Sequence, residues 1–197
     1  MNRPPQVIVG AKLPLRPMHV WAIRVRLQIE GRLRDLALFD IALDSKLRGC
    51  DVVALRLADI LVGGSVRRRA IVIQQKTGRP VQFEIAEQAR RSVVEWLKVR
   101  RGEADGWLFP SRMAPGAHLS TRQYFRLLKG WIERIGLEPA DYGTHSLRRT
   151  KVSLLYRKTG NLRACQLLLG HTKLESTIRY LGVELDDALE LSEALEL

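Results

Sequence analysis

The sequence predicts a mainly α-helical α+β domain carrying one small three-stranded antiparallel sheet. Three observations support this. Apolar residues recur every three or four positions through residues 34–57, 86–101 and most of 120–181. Between residues 60 and 85 the pattern changes to short β-rich runs separated by Gly63-Gly64 and by Lys76-Thr-Gly-Arg79. At 197 residues the chain is long enough for one domain with a substantial core.

Residues 1–16 contain three prolines and little periodicity, and are expected to form an irregular arm ahead of a domain spanning 17–182. In 21–29 the apolar residues Trp21, Ile23, Val25, Leu27 and Ile29 alternate as in a strand. Pro17 and the interleaved Ala, Arg, Gln and Glu favour a helix instead, and a helix is the reading adopted. Leu36, Leu38, Phe39, Ile41 and Leu43 give 34–44 a broad apolar helical face with Asp35 at its start. A second helix is expected from Arg48 to Leu57, followed by strands at 60–62, 70–75 and 81–85, with Lys76 at the second turn. Residues 86–101 read as a helix, and 102–119 as a long loop pinned by Trp107-Leu-Phe-Pro110. Ser120 is placed to cap a helix running to about Ile135. Thr144 and Asn161 are placed to cap two further helices that stop before Gly160 and at Gly170; a last short helix covers 173–181. The segment 183–197 has leucines at helical spacing and is expected to form an acidic C-terminal helix.

Charge bounds the partner. The chain has 33 Lys+Arg against 21 Asp+Glu, a formal net charge of +12. Six of the acids (Glu184, Asp186, Asp187, Glu190, Glu193, Glu196) lie in the final segment, which has no Lys or Arg, so the preceding domain is more basic still. A surface of that kind attracts polyanions and favours double-stranded DNA as partner. The two cysteines, Cys50 and Cys165, sit in apolar helical patterns without a zinc-ligand spacing and read as core residues of a reducing, cytoplasmic compartment. No apolar run approaches the ~18 residues of a membrane span.

The chemistry concentrates near the end. His145-Ser-Leu-Arg148, then Leu169-Gly170-His171, then Tyr180 bring two histidines, an arginine and a phenol onto consecutive short helices of a basic protein. Arginine's planar fork binds anionic oxygens bidentately and stays protonated, so the cluster reads as phosphate chemistry.

These boxes resemble the second motif of the tyrosine recombinase, or phage integrase, family. Leu47-Arg48-Gly-Cys-Asp51, with an acid three residues after the arginine, resembles the family's first arginine box. Lys76 resembles its hairpin lysine, and Trp107-Leu-Phe-Pro110 the segment before its next helix. The resemblance covers roughly residues 20–185 and implies the catalytic-domain fold of that family. It implies that Arg48 and Arg148 hold the scissile phosphate, that Lys76, His145 and His171 complete the pocket, and that Tyr180 is the nucleophile. Cleavage through a 3′-phosphotyrosyl bond, without metal or other cofactor, follows from the same resemblance, as does assembly as a dimer to tetramer on DNA. The acidic tail either folds back onto its own domain or, as the resemblance implies, docks in a neighbouring copy.

Three departures stand out. Ser45-Lys46 occupies the place of the usual Thr-Gly, Arg149 stands where a histidine is common, and the ~20 residues before the domain cannot form the usual DNA clamp. The chain resembles the short members made of a catalytic domain alone, for which an accessory DNA-binding protein is a possible partner. Arg67, Arg68, Arg69, Arg79 and Arg149 are candidate contacts to DNA phosphates, although runs such as Arg67–Arg69 are also what a solvated face looks like. Read singly, Arg48 is a surface base, Lys76 a turn residue and Tyr180 a core aromatic; their order and spacing make the sharper reading preferable. A type IB topoisomerase-like nicking-closing enzyme and a DNA-binding regulator without chemistry are the alternatives.

Overall fold

In the computed structural model, residues 12–101, 106–181 and 193 are described. The expected arm therefore falls mostly, and the acidic tail almost wholly, outside the described residues. The chain runs α1 (Pro17–Ile29), α2 (Leu33–Ser45), α3 (Gly49–Val53), α4 (Leu57–Ile60), β1 (Leu61–Val62), β2 (Ser65–Val66), β3 (Arg69–Ile73) and β4 (Pro80–Glu84). It continues with α5 (Glu87–Val99), α6 (Thr121–Glu133), a 3₁₀ turn (Pro139–Asp141), α7 (Thr144–Thr159), α8 (Leu162–Leu169) and α9 (Leu174–Leu181). No helix among the described residues is long and apolar enough to cross a membrane.

The ambiguous alternation in 21–29 resolves as helix. Val20, Ile23 and Leu27 face inward at spacings of three and four, while Trp21, Val25 and Ile29 are left exposed on the other side. Helix α2 is the centre of the core: every residue from Asp35 to Ser45 is buried, and its neighbours are α5, α7 and α1. Phe39 of α2 meets Trp131 of α6 edge to face, with ring centroids 5.7 Å apart.

The sheet differs from the expectation of three strands in one sheet. Gly63 and Gly64, both at positive φ (54° and 76°), close a tight hairpin between β1 and β2, which among the described residues pair only with each other. β3 and β4 form a separate antiparallel ladder from Arg69↔Glu84 to Ile73↔Pro80. The glycine turn was expected to join the first strand to the run at 70–75; it is too tight for that, and turns the chain back within two residues.

The helix expected from Arg48 to Leu57 is also interrupted. It stops at Val53 because Leu55 and Leu57 bond instead to the loop after α5: Leu108 N–H donates to Leu55 O and Leu57 N–H to Gly106 O. Ser120 and Asn161 cap α6 and α8 as expected, accepting from the amides of Gln123 and Ala164 at 3.1 and 2.8 Å. Thr144 is not the cap of α7 but its first residue; Gly143 precedes it, and its amide is held by Ser146 Oγ at 3.1 Å.

A second, smaller apolar cluster lies apart from the main core. Val152, Cys165 and Leu169 are fully buried there, with Leu155, Tyr156, Tyr180 and Leu181 packed against them. It holds α7, α8 and α9 together and so places the last site residue, Tyr180, against the helix that carries His145 and Arg148.

Candidate active site

Two glycines allow the site's segments to approach. Gly49 lies against the start of α7, where a Cβ would stand 3.3 Å from Thr144 Cβ and Oγ1. This brings Arg48, the residue just before α3, beside the first turn of α7 with His145 and Arg148. Gly170 ends α8 at φ 65°, and a Cβ there would be 2.6 Å from Val81 on β4. The turn into His171 is thereby pressed onto the hairpin that carries Lys76.

Arg148 is 2 % exposed. Its Nη2 donates to Leu169 O at 2.7 Å, its Nε has no partner among the described residues, and its guanidinium lies 5.7 Å from the Tyr180 ring centre. Burial pulls its pKa below the ordinary value, and Arg48 adds to the effect against the opposing pull of Tyr180. No carboxylate among the described residues forms an ion pair with it. A buried, half-satisfied guanidinium is costly by itself and suits an anion entering from outside.

Arg48 is half-buried and donates through Nη1 to Gln74 Oε1 at 2.6 Å. Gln74, 1 % exposed, also accepts from Thr77 Oγ1 at 2.9 Å, while its own Nε2 has no partner among the described residues. Asp51 Oδ1 accepts the Gln75 amide at 2.9 Å. Arg48 and its box are thus tied to the turn that holds Lys76. Lys76 itself is exposed and makes no hydrogen bond or ion pair among the described residues.

The His171 ring meets the Tyr180 ring edge to face at 5.5 Å, and its Nδ1 is 3.1 Å from Thr177 Oγ1. Burial, with Arg148 and Arg48 nearby, lowers its pKa to about 4, so it is neutral at pH 7. When Thr177 donates to Nδ1, the ring proton sits on Nε2. Burial, followed by Arg148 and Arg48, likewise lowers the pKa of His145. The Tyr180 hydroxyl donates to the main-chain oxygen of His145 at 3.3 Å rather than to its ring. Burial raises the Tyr180 pKa against the pull of Arg148, Arg149 and Arg48, so the phenol is protonated at neutral pH.

The structure therefore gathers Arg48, His145, Arg148, His171 and Tyr180, with Lys76 on the adjoining turn and electrostatically coupled to His145. The expected phosphate contacts divide. Arg67, Arg68, Arg69 and Arg79 are exposed around the hairpins. Arg149 is 8 % exposed and turned inward: Nη1 donates to Lys12 O at 2.9 Å, Nη2 to Tyr180 O, and its guanidinium lies 5.0 Å from the Tyr180 ring centre. Its place is that of a brace for α9 rather than a surface contact. Gln74 was not singled out in the sequence; its position two residues before Lys76, at the end of a strand, was the available signal.

Comparison with known proteins identifies the family and the fold. The phage integrase family profile matches residues 25–185. The tyrosine recombinase XerC of Chromobacterium violaceum is 32 % identical over 166 residues, 83 % of this chain and 53 % of that protein. XerC of Erythrobacter litoralis is 30 % identical over 154 residues, 77 % of this chain and 47 % of that protein. The chain thus spans about half the length of these relatives. Among solved structures, the Tn1549 transposon integrase in complex with transposon right end DNA superposes with a TM-score of 0.77 at 16 % identity, over 96 % of this chain and 67 % of that one. The fold is that of a tyrosine recombinase catalytic domain, and the chain belongs to the phage integrase family.

Proposed function

We propose that this domain cuts and rejoins double-stranded DNA as a site-specific recombinase, through a 3′-phosphotyrosyl intermediate on Tyr180. The observation that carries this reading is the buried Arg148 guanidinium, without a carboxylate partner among the described residues, lying against the rings of Tyr180 and, next to it, His171.

In the proposed reaction the Tyr180 oxygen attacks the phosphorus, the P–O5′ bond breaks, and the 5′ oxygen leaves with a proton from Lys76. Arg48 and Arg148 bind the nonbridging oxygens, where negative charge grows, and neutral His171 adds a donor. His145, kept neutral by burial and its cationic neighbours, takes the phenol proton. The phenol is protonated in the free protein, so attack requires this transfer. Because the tyrosyl phosphate retains the bond energy, a 5′-hydroxyl strand reseals it by the reverse steps.

Support for DNA as the partner comes from the +12 net charge, the exposed arginines 67, 68, 69 and 79, and the DNA complex of the Tn1549 integrase. We extend the reading to assembly of two to four copies on the DNA, with an accessory DNA-binding protein as a further partner.

The test is covalent capture from a library of short nicked duplexes of randomised sequence. A denaturant-resistant DNA adduct is expected with the wild type and not with Tyr180→Phe. Transfer of captured strands to a second duplex indicates recombination, whereas relaxation of supercoils alone indicates a nicking-closing enzyme. Absence of any Tyr180-dependent adduct rules out both.

A further inference from the structure

Lys46 is an uncommon residue for its position. It is 2 % exposed, and at φ 53° it is the only non-glycine at positive φ among the described residues. A buried ammonium and a left-handed backbone are both unfavourable, so a specific partner is needed to retain them. That partner is Glu84, both of whose carboxylate oxygens lie 2.6 Å from Lys46 Nζ. Glu84 is also 2.8 Å from Lys151 Nζ, and Lys151 is 2.5 Å from Asp44 Oδ1. The other Asp44 oxygen accepts the Ala86 amide at 2.7 Å. Two lysines and two acids alternate, leaving the network without net charge.

The segments joined here each carry a residue of the proposed site. Lys46 lies two residues before Arg48, and Lys151 lies one turn after Arg148 on α7. Glu84 ends β4, the return strand of the hairpin whose turn holds Lys76. Among the described residues that ladder has no third strand, so its direction depends on what grips its base. At about 3.3 Å per residue the strand from Glu84 to Pro80 spans roughly 13 Å, and a tilt of about 5° at the base moves its far end by about 1 Å. An error of that size at a reacting group costs on the order of 10²-fold in rate.

We propose that Asp44, Lys46, Glu84 and Lys151 form a positioning network that fixes the base of the β3–β4 hairpin against the two arginine-bearing segments, so that Lys76 reaches the departing 5′ oxygen. The proposal rests on the recombinase reading above. It assigns Lys46 a role: the residue that departs from the family's usual glycine here supplies a cation to Glu84.

The experiment uses a nicked duplex captured by the wild-type chain, prepared with either oxygen or sulfur as the 5′ bridging atom of the cleaved phosphate. A thiolate leaves without needing a proton. Glu84→Gln is expected to slow single-turnover adduct formation at least 10-fold on the oxygen substrate but to stay within 3-fold of wild type on the sulfur substrate, as Lys76→Ala should. Equal losses on both substrates, or no loss on either, overturn the proposal. If Glu84→Gln does not melt cooperatively, Lys151→Met, which removes one of the two cations on Glu84, is read by the same comparison and the same criteria. A wild-type chain that forms no Tyr180-dependent adduct on either substrate defeats the recombinase reading itself, and the proposal with it.

Discussion

Replacing Arg148 by methionine should separate activity from stability. The side chain is 2 % exposed and, among the described residues, makes one charged hydrogen bond, to Leu169 O at 2.7 Å, and leaves Nε unpaired. Losing that bond costs about 1.5–3 kcal/mol. Removing an incompletely paired buried cation returns a desolvation penalty of several kcal/mol, the same burial that lowers the pKa of Arg148. The two nearly cancel, so the melting temperature should change by no more than about 5 °C, given about 2–4 °C per kcal/mol for a domain of this size. The reaction has no such compensation. Loss of one anion clamp costs about 3–4 kcal/mol at the transition state, or about 10²–10³-fold in rate. DNA affinity should fall much less, because many phosphate contacts share it. Arg148→Lys keeps the charge without the fork and should fall between the two. The assay is single-turnover adduct formation on a captured nicked duplex, run beside thermal melting. An Arg148→Met rate within 5-fold of wild type would falsify the clamp role, and a rate loss that tracks a fall of more than about 10 °C would assign Arg148 to stability instead.

Three further outcomes test the structure around the site. His171 has its pKa lowered to about 4 against an ordinary 6.5, so below pH 6.5 the unfolded chain binds a proton that the folded one refuses. Its share of stability is complete above pH 6.5 and declines as pH falls toward about 4; melting temperature against pH should be flatter in that window for His171→Gln. Gly170→Ala places a Cβ 2.6 Å from Val81 at φ 65°, and should cost about 2–5 kcal/mol from left-handed strain and overpacking together, measured by denaturant unfolding. Asn161→Ala removes the α8 cap and should cost about 1 kcal/mol in the same measurement, with little change in DNA affinity.

Much of this was readable from residue order because the site is assembled from short-range signals. Ser120 and Asn161 cap their helices through their own side chains, and Gly160 and Gly170 end theirs in left-handed turns, so α6, α7 and α8 follow from local chemistry. Where long-range pairing decides, the sequence misled. The helix expected through Leu57 is cut short by bonds to Gly106 and Leu108, fifty residues away in contact but invisible in a helical window. The two hairpins could not be separated from a single sheet by strand pattern alone, since pairing is set by the tightness of the Gly63-Gly64 turn. Within the site, the boxes named Arg48, His145, Arg148, His171 and Tyr180, but not what holds them. Gln74, Glu84 and Lys151 carry ordinary side chains in ordinary positions, and only folding shows that they meet Arg48, Lys46 and Asp44. Arg149 reads in sequence as a candidate contact to DNA phosphates and is an internal brace in three dimensions, because its partners are main-chain oxygens of Lys12 and Tyr180.

In the proposed reaction one tyrosine becomes bonded to DNA. The chain has four: Tyr124 and Tyr142 are buried in the main core, Tyr156 packs in the smaller cluster, and Tyr180 alone lies against Arg148 and His171. Mass spectrometry of the nuclease-trimmed, protease-digested adduct identifies the modified residue and the end of DNA it carries. A 3′-linked nucleotide on Tyr180 is the expected result; a nucleotide on any other residue, or linkage through a 5′ end, would contradict it.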